Sequence, residues 1–230
     1  MKKTIVISGS SSGLGFDLAK HFYKEGFAIE GCGRSKKKFH FQNYTSLDLR
    51  SIQDLRSWIE IIKKKNIFCF INNASVIPVR YPALLNDQDF LNETLDVNIK
   101  SQIFLINELS KIMIKNKNQG RIINVSSMSS ALNEKGTALY SSSKVAIEKY
   151  LSILSRELSN TKITCNTIGV TYYNSKSFRA LGSSIIVKAQ QHTNIKRVLN
   201  LKEITNVIKF FIKPDSSVIT GQKIYLGMSV

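Results

Sequence analysis

Apolar residues fall along this chain in two alternating rhythms. Short runs rich in β-branched or aromatic residues stand at 3–8 (KTIVIS), 27–32 (FAIEGC), 44–48 (YTSLD), 66–71 (NIFCFI), 121–127 (RIINVSS), 163–168 (ITCNTI) and 223–226 (KIYL). Runs of this length with little polar alternation predict strands buried on both faces, the habit of parallel sheets. Between them, apolar positions recur every three or four residues, which predicts helices with one buried face. Phe16, Leu18, Ala19, Phe22 and Tyr23 mark the first helix, closed by Gly26. Ile52, Leu55, Trp58, Ile59 and Ile62 mark another over 51–65, and the tryptophan reads as core. Further helices are predicted over 90–117, 139–158 and 202–213. The stretch 169–200 follows neither rhythm; it carries Tyr172, Tyr173 and Gly182 and reads as a substrate loop or lid. Strands alternating with helices, with no linker between them, predict a doubly wound parallel α/β sheet in one domain over 1–230.

Composition narrows the class. A length of 230 residues suits one well-buried domain, and no apolar run has transmembrane length. The run after Lys2 and Lys3 stops at Ile7, too short for a signal-peptide core, so a cytoplasmic protein is expected. Cys32, Cys69 and Cys165 lie in strand-like contexts without metal-ligand spacing and read as reduced packing residues; no metal is expected. The net charge of +17 favours an anionic ligand. Its lysines are scattered in short groups (36–38, 63–65, 115 and 117), without a long basic run or an RNA-binding motif. Nucleic acid is therefore not expected as the principal partner, and no membrane association is expected.

The first strand runs straight into Gly9, Ser10, Ser11, Ser12, Gly13, Leu14 and Gly15 before its helix begins. Strand, glycine turn and helix are the setting of a dinucleotide-phosphate site in a Rossmann-type domain. Glycines let the backbone approach the pyrophosphate, and the helix N-terminus offers unpaired N–H groups. The second strand leads to Gly33-Arg34-Ser35. A carboxylate there would hold the ribose 2′-hydroxyl, whereas Arg34 suits a 2′-phosphate, so NADP(H) is favoured and NAD(H) is the alternative. Asp48 and Leu49 follow the third strand near the expected adenine edge, where Asp48 also suits a helix cap. Asn73, Ala74 and Ser75 follow the fourth strand and suit the floor of a cofactor crevice. Asn98, in the middle of a predicted helix, implies a kink with a water site or a polar bridge.

Tyr140 and Lys144 lie four residues apart on a predicted helix, and Ser127 lies thirteen before the tyrosine. Such a Tyr–Lys pair is common on solvated helix faces. Held together near a carbonyl, however, the ammonium would favour phenolate and bring the phenol's pKa toward neutrality. The tyrosine would then serve as proton donor or acceptor, with the serine holding the same oxygen.

Taken together, SGSSSGLG, LDL at 47–49, NNAS, Asn98, INVSS and YSSSK resemble, in order and separation, the motifs of the short-chain dehydrogenase/reductase family over essentially the whole chain. The near-terminal DSSVITGQKIYL resembles a family strand as well. The resemblance implies that Tyr140 is the acid/base, that Lys144 lowers its pKa and holds the nicotinamide ribose, and that Ser127 rather than Ser126 holds the substrate oxygen. It implies further that Asn98 anchors a water linking Lys144 to solvent. Gly9, Gly13 and Gly15, with Ser11, Ser12 and Leu14 in the same loop, would hold the pyrophosphate. Arg34 would read the 2′-phosphate, and Asn73 and Ala74 would line the cofactor. Homodimers or homotetramers pairing the long helices after Asn98 and Tyr140 are implied too. Two segments depart from the family pattern. Val170-Thr171 replaces Pro-Gly after the sixth strand, where Thr171 is left to meet the carboxamide, and Leu226-Gly227-Met228 replaces Asp-Gly-Gly.

The reading that results is an NADP(H)-dependent oxidoreductase acting on a small carbonyl or alcohol. An anionic substrate such as a sugar nucleotide or a carrier-bound oxoacyl group suits the charge. The alternative is a non-catalytic NADP(H)-sensing regulator on the same fold.

Overall fold

The computed structural model describes residues 2–77, 83–173 and 193–228. Most of the predicted lid, 174–192 with Gly182, lies outside the described residues. Seven strands form one all-parallel sheet: β1 (Thr4–Ser8), β2 (Ala28–Gly33), β3 (Asn43–Ser46), β4 (Ile67–Asn72), β5 (Arg121–Ser127), β6 (Thr164–Val170) and β7 (Lys223–Tyr225). Their order is β3-β2-β1-β4-β5-β6-β7. Among the described residues the α-helices are α1 (Gly13–Lys24), α2 (Ile52–Ile62), α3 (Gln88–Leu95), α4 (Ser101–Lys115), α5 (Ser129–Leu132), α6 (Ala138–Glu157) and α7 (Leu201–Ile212).

Period-two alternation sorts each strand's side chains into two cores. Val6, Phe70, Ile122 and Cys165 face α2, α4 and α6, against Trp58, Leu105 and Ile147. Their neighbours Ile5, Ile7, Cys69, Ile71, Ile123 and Ile168 face α1 and α7, against Phe22, Ile208 and Phe211. Trp58 is fully buried, as its helical stripe predicts, and the three cysteines are buried and free. The sheet is therefore covered on both faces, and the direction of winding reverses between β1 and β4. The crevice beyond the carboxyl ends of these two strands is where such sheets bind ligands.

The strands and helices fall close to where the sequence rhythms place them; α5 was not predicted, β6 continues to Val170, and three further local differences bear on the site. β3 begins one residue earlier than expected and ends two residues earlier, at Ser46, leaving Leu47 buried beyond it. The single helix expected over 90–117 is three pieces, because Asp96–Lys100 forms a five-residue π-helical turn between α3 and α4. That wider turn sends Asn98 inward, and its side chain takes up groups outside the helix, as a polar bridge requires. The α2 cap is Ser51, whose hydroxyl accepts from Asp54 N, and not Asp48. Asp48 instead receives the Arg50 guanidinium through both its oxygens.

Candidate active site

The glycine loop is clamped between β1 and β4. Ser8 Oγ accepts from the backbone N–H of Asn73 and of Ala74, both at 3.0 Å. Asn73 Nδ2 donates to Ser8 O at 3.0 Å and to Gly9 O at 3.2 Å. This close approach dictates two of the glycines. A Cβ on Gly9, at φ +69, would lie 2.8 Å from Ala74 Cα, and one on Gly15 would lie 2.3 Å from Gly9 O. Gly13 is different: a Cβ there would meet nothing within 4 Å. Ser12 caps α1 without a side-chain hydrogen bond, and no acid stands in the first turn. The first-turn amides of α1 therefore face an open space without an internal anion, which fits a pyrophosphate. Ser10 is turned away into the fold, where its hydroxyl donates to Gln42 Oε1 at 2.7 Å. Gln42 escaped the sequence reading.

At the far end of the crevice, Arg34 is 68% exposed and pairs with Glu93 of α3 at 3.2 Å. The side-chain hydrogen bond from Arg50 holds the Asp48 carboxyl below its usual range. A side chain at Gly33 would meet the Tyr44 hydroxyl at 3.0 Å and the Ser11 hydroxyl at 3.3 Å. Tyr44 of β3 thus fills the space a β2 carboxylate would need, a relation no local pattern in the sequence announces. Leu49 is buried in the core beside α2.

On the other side of the crevice, β5, α6 and the β4 loop converge on Tyr140. The phenol is buried, and the hydroxyls of Ser127 and Ser75 lie near enough to favour its charged form. Ser75, expected on the cofactor floor, is thus brought to the tyrosine. Lys144 lies one turn along α6, buried, with Nζ 5.6 Å from the Tyr140 ring centroid and donating to Val125 O at 3.1 Å. Asn98 Oδ1 accepts from Val76 N at 2.7 Å, and its Nδ2 donates to Val76 O at 3.0 Å and to Ser143 Oγ at 3.1 Å. Its amide therefore ties the β4 loop to α6.

The electrostatics reverse one expectation. Lys144 does not bring the phenol's pKa down in this state: burial pushes Tyr140 above 10, with Ser127 and Ser75 offsetting part of the rise. Burial also lowers Lys144 to about 8, with the negative charge of Glu148 partly opposing it. Both groups disfavour their charged forms because both have left water. Glu148, which the sequence analysis does not single out, joins the site from the same helix. It is buried and accepts hydrogen bonds from Ser126, Ser130 and Tyr225. Its spacing of four from Lys144 was the signal available.

Thr171 lies beside Gly227, where a Cβ would come within 3.3 Å of its Oγ1. The two departures from the family pattern therefore pack on one another. The adjacent tyrosines are engaged with the protein: Tyr172 with Glu134 at 3.4 Å and Tyr173 with Asp17 at 2.7 Å. Among the described residues no helix is long and apolar enough to cross a membrane.

A family model described as short chain dehydrogenase matches residues 3–185. The chain is 27% identical over 237 residues to a 3-oxoacyl-[acyl-carrier-protein] reductase, FabG, of Buchnera aphidicola, covering 98% of this chain and 96% of that one. A FabG of Rickettsia conorii is 26% identical over 232 residues, covering 98% and 95%. Among solved structures, 4-hydroxyisoleucine dehydrogenase complexed with NADH superposes with a TM-score of 0.89 at 21% identity, over 98% of each chain. ElxO with NADP bound gives 0.89 at 20% identity, over 98% of this chain and 97% of that one.

Proposed function

The chain belongs to the short-chain dehydrogenase family, and from that premise we propose that it is an NADP(H)-dependent carbonyl reductase in which Tyr140 transfers the proton. The observation that carries this reading is the buried Tyr140 phenol, with the Ser127 hydroxyl beside it and Lys144 Nζ 5.6 Å from its ring centroid. NADPH, when bound, supplies a hydride from its nicotinamide ring to the carbonyl carbon. Gly13 and the first turn of α1 hold the pyrophosphate, and Asn73 and Ala74 keep the loop in place beneath it. Ser127 donates to the substrate oxygen, and Tyr140 delivers its proton there as negative charge develops. The raised pKa keeps Tyr140 protonated for this step, and the Lys144 ammonium steadies the phenolate left behind. Asn98 holds the β4 loop against α6. Oxidation of an alcohol runs the same steps in reverse.

Preference for NADP(H) rests on Arg34 and on the absence of a carboxylate at Gly33, whose space Tyr44 fills. The 2′-phosphate would take Arg34 from Glu93, trading an exposed pair of small value for a charge-assisted one. The similarity to 3-oxoacyl-[acyl-carrier-protein] reductases over 98% of the chain, together with the charge of +17, favours a carrier-bound 3-oxoacyl group as substrate. Ile114 of α4 and Val145 and Ile153 of α6 are exposed apolar residues, which supports pairing with a second copy through these helices.

The test is a fluorescence titration with NADPH and NADH, followed by reduction of a 3-oxoacyl thioester. Arg34→Ala should weaken NADPH by about 10- to 100-fold and leave NADH nearly unchanged. Tyr140→Phe should keep NADPH binding and lose about 10²- to 10⁴-fold in turnover. Equal losses for both nucleotides would overturn the NADP(H) preference, and an active Tyr140→Phe would overturn the role of the tyrosine.

A further inference from the structure

Tyr140, Lys144 and Glu148 occupy successive turns of α6 and share one of its faces. Glu148 is 4% exposed, and a carboxylate so buried keeps its charge only if other groups replace water around it. Those groups come from three other elements. Ser126 of β5 donates through a short bond, and Ser130 of α5 donates at 2.7 Å. From β7, the Tyr225 hydroxyl lies 2.9 Å from each carboxylate oxygen and the Lys223 ammonium 3.3 Å from one. Tyr225 remains a donor through neutral pH, since burial foremost, and then Glu148, push its pKa to about 12. A donor set of this kind suits an anion, and Lys223, half exposed, leaves part of the charge uncancelled.

The uncancelled charge points back along α6. Lys144 donates to the carbonyl of Val125, the residue before Ser126, so lysine and glutamate hold consecutive positions of the same strand end. Ser126 is drawn down to Glu148 while Ser127, the last residue of β5, meets Tyr140.

We propose that Glu148 is a positioning residue for the proton-transfer pair, holding Lys144 in its protonated form and fixing the end of β5 on which Ser127 stands. This rests on the roles proposed above for Tyr140 and Lys144. The charged and titratable groups around the two are Tyr140, Lys144 and Glu148 of α6 and Lys223 and Tyr225 of β7. The two lysines make opposite predictions. Removing Glu148 takes a negative charge from Lys144 and should lower its pKa; removing Lys223 strengthens the same negative charge and should raise it.

The test is a pH titration of ¹³C-lysine-labelled protein by NMR, following the Cε signal of Lys144, assigned by its loss in Lys144→Met. In Glu148→Gln the midpoint should fall by about one pH unit, and Glu148→Asp should recover at least half of that fall. In Lys223→Met, which alters an exposed residue and spares the buried carboxylate, the midpoint should rise. A midpoint unchanged in folded Glu148→Gln, or one that stays put or falls in Lys223→Met, overturns the proposal. If Glu148→Gln does not fold, the Lys223→Met titration alone decides. In the turnover assay, Glu148→Gln should lose about threefold in kcat at pH 7.5, the change in protonated Lys144 that such a shift produces, with NADPH affinity unchanged. The midpoints need no turnover. A parent protein that reduces no carbonyl would sink the proposed function while leaving the Glu148–Lys144 coupling measured.

Discussion

Replacing Lys144 by methionine is expected to stabilise the protein while disabling it. The lysine is buried, and its pKa falls from 10.5 to about 8, chiefly through loss of hydration. A fall of that size corresponds to about 3 kcal/mol held against the folded state as long as the amine is protonated. Methionine has an unbranched stem that fills the same channel without the charge. The variant gives up the hydrogen bond to Val125 O and leaves Glu148 without the cation beyond it, a loss of about 1–2 kcal/mol. A net gain of about 1–2 kcal/mol is therefore expected at pH 7. The pH dependence follows from the direction of the shift. Below pH 8 both folded and unfolded lysine carry the proton, and the burial cost is present in full. Between 8 and 10.5 the folded protein has released the proton and the unfolded chain has not, so the parent's stability rises with pH and its deficit closes. Urea titrations of both proteins from pH 6.5 to 9.5 should show the gap narrowing by about 2 kcal/mol. A variant less stable than the parent at pH 7, or a gap that does not move with pH, would refute the idea that α6 buries an unfavourable ammonium.

Two further substitutions probe the crevice. Gly15→Ala places a Cβ 2.3 Å from Gly9 O and 2.4 Å from Asn73 Nδ2; the loop must move, costing about 1–3 kcal/mol, and NADPH titration should show affinity lost at least as sharply as thermal stability. Retained micromolar affinity would mean the loop does not hold the phosphates. Asn98→Ala leaves Val76 N and O without their partner and should cost about 2–4 kcal/mol in urea unfolding, with turnover falling further than NADPH binding. Unchanged stability would show that the π turn persists without its polar bridge.

Much of this protein was written locally. The β1 run of five buried residues into three glycines specifies strand, turn and helix by itself, because each depends on neighbours within a few positions. The spacing of Tyr140 and Lys144 likewise needs only a helix to place both on one face. Asn98 announced an irregularity, since an amide in an apolar helical stripe must find partners elsewhere, although the π turn that supplies them depends on Val76 and Ser143. What remained illegible was set by contacts between distant strands. Tyr44 fills the space beside Gly33 only because β3 pairs with β2. Ser75 reaches Tyr140 only through the path of the β4 loop.

The charge state of the site belongs wholly to the tertiary structure. The sequence predicted a phenol made more acidic by its lysine, an inference that holds where the pair is near water. Folding buries both groups, and loss of hydration outweighs their attraction, raising Tyr140 and lowering Lys144. The spacing of four from Lys144 to Glu148 is visible in any reading of the chain. That the second of these is an anion held by β5, α5 and β7 is decided only when those elements close around it, since burial is a property of the whole packed molecule.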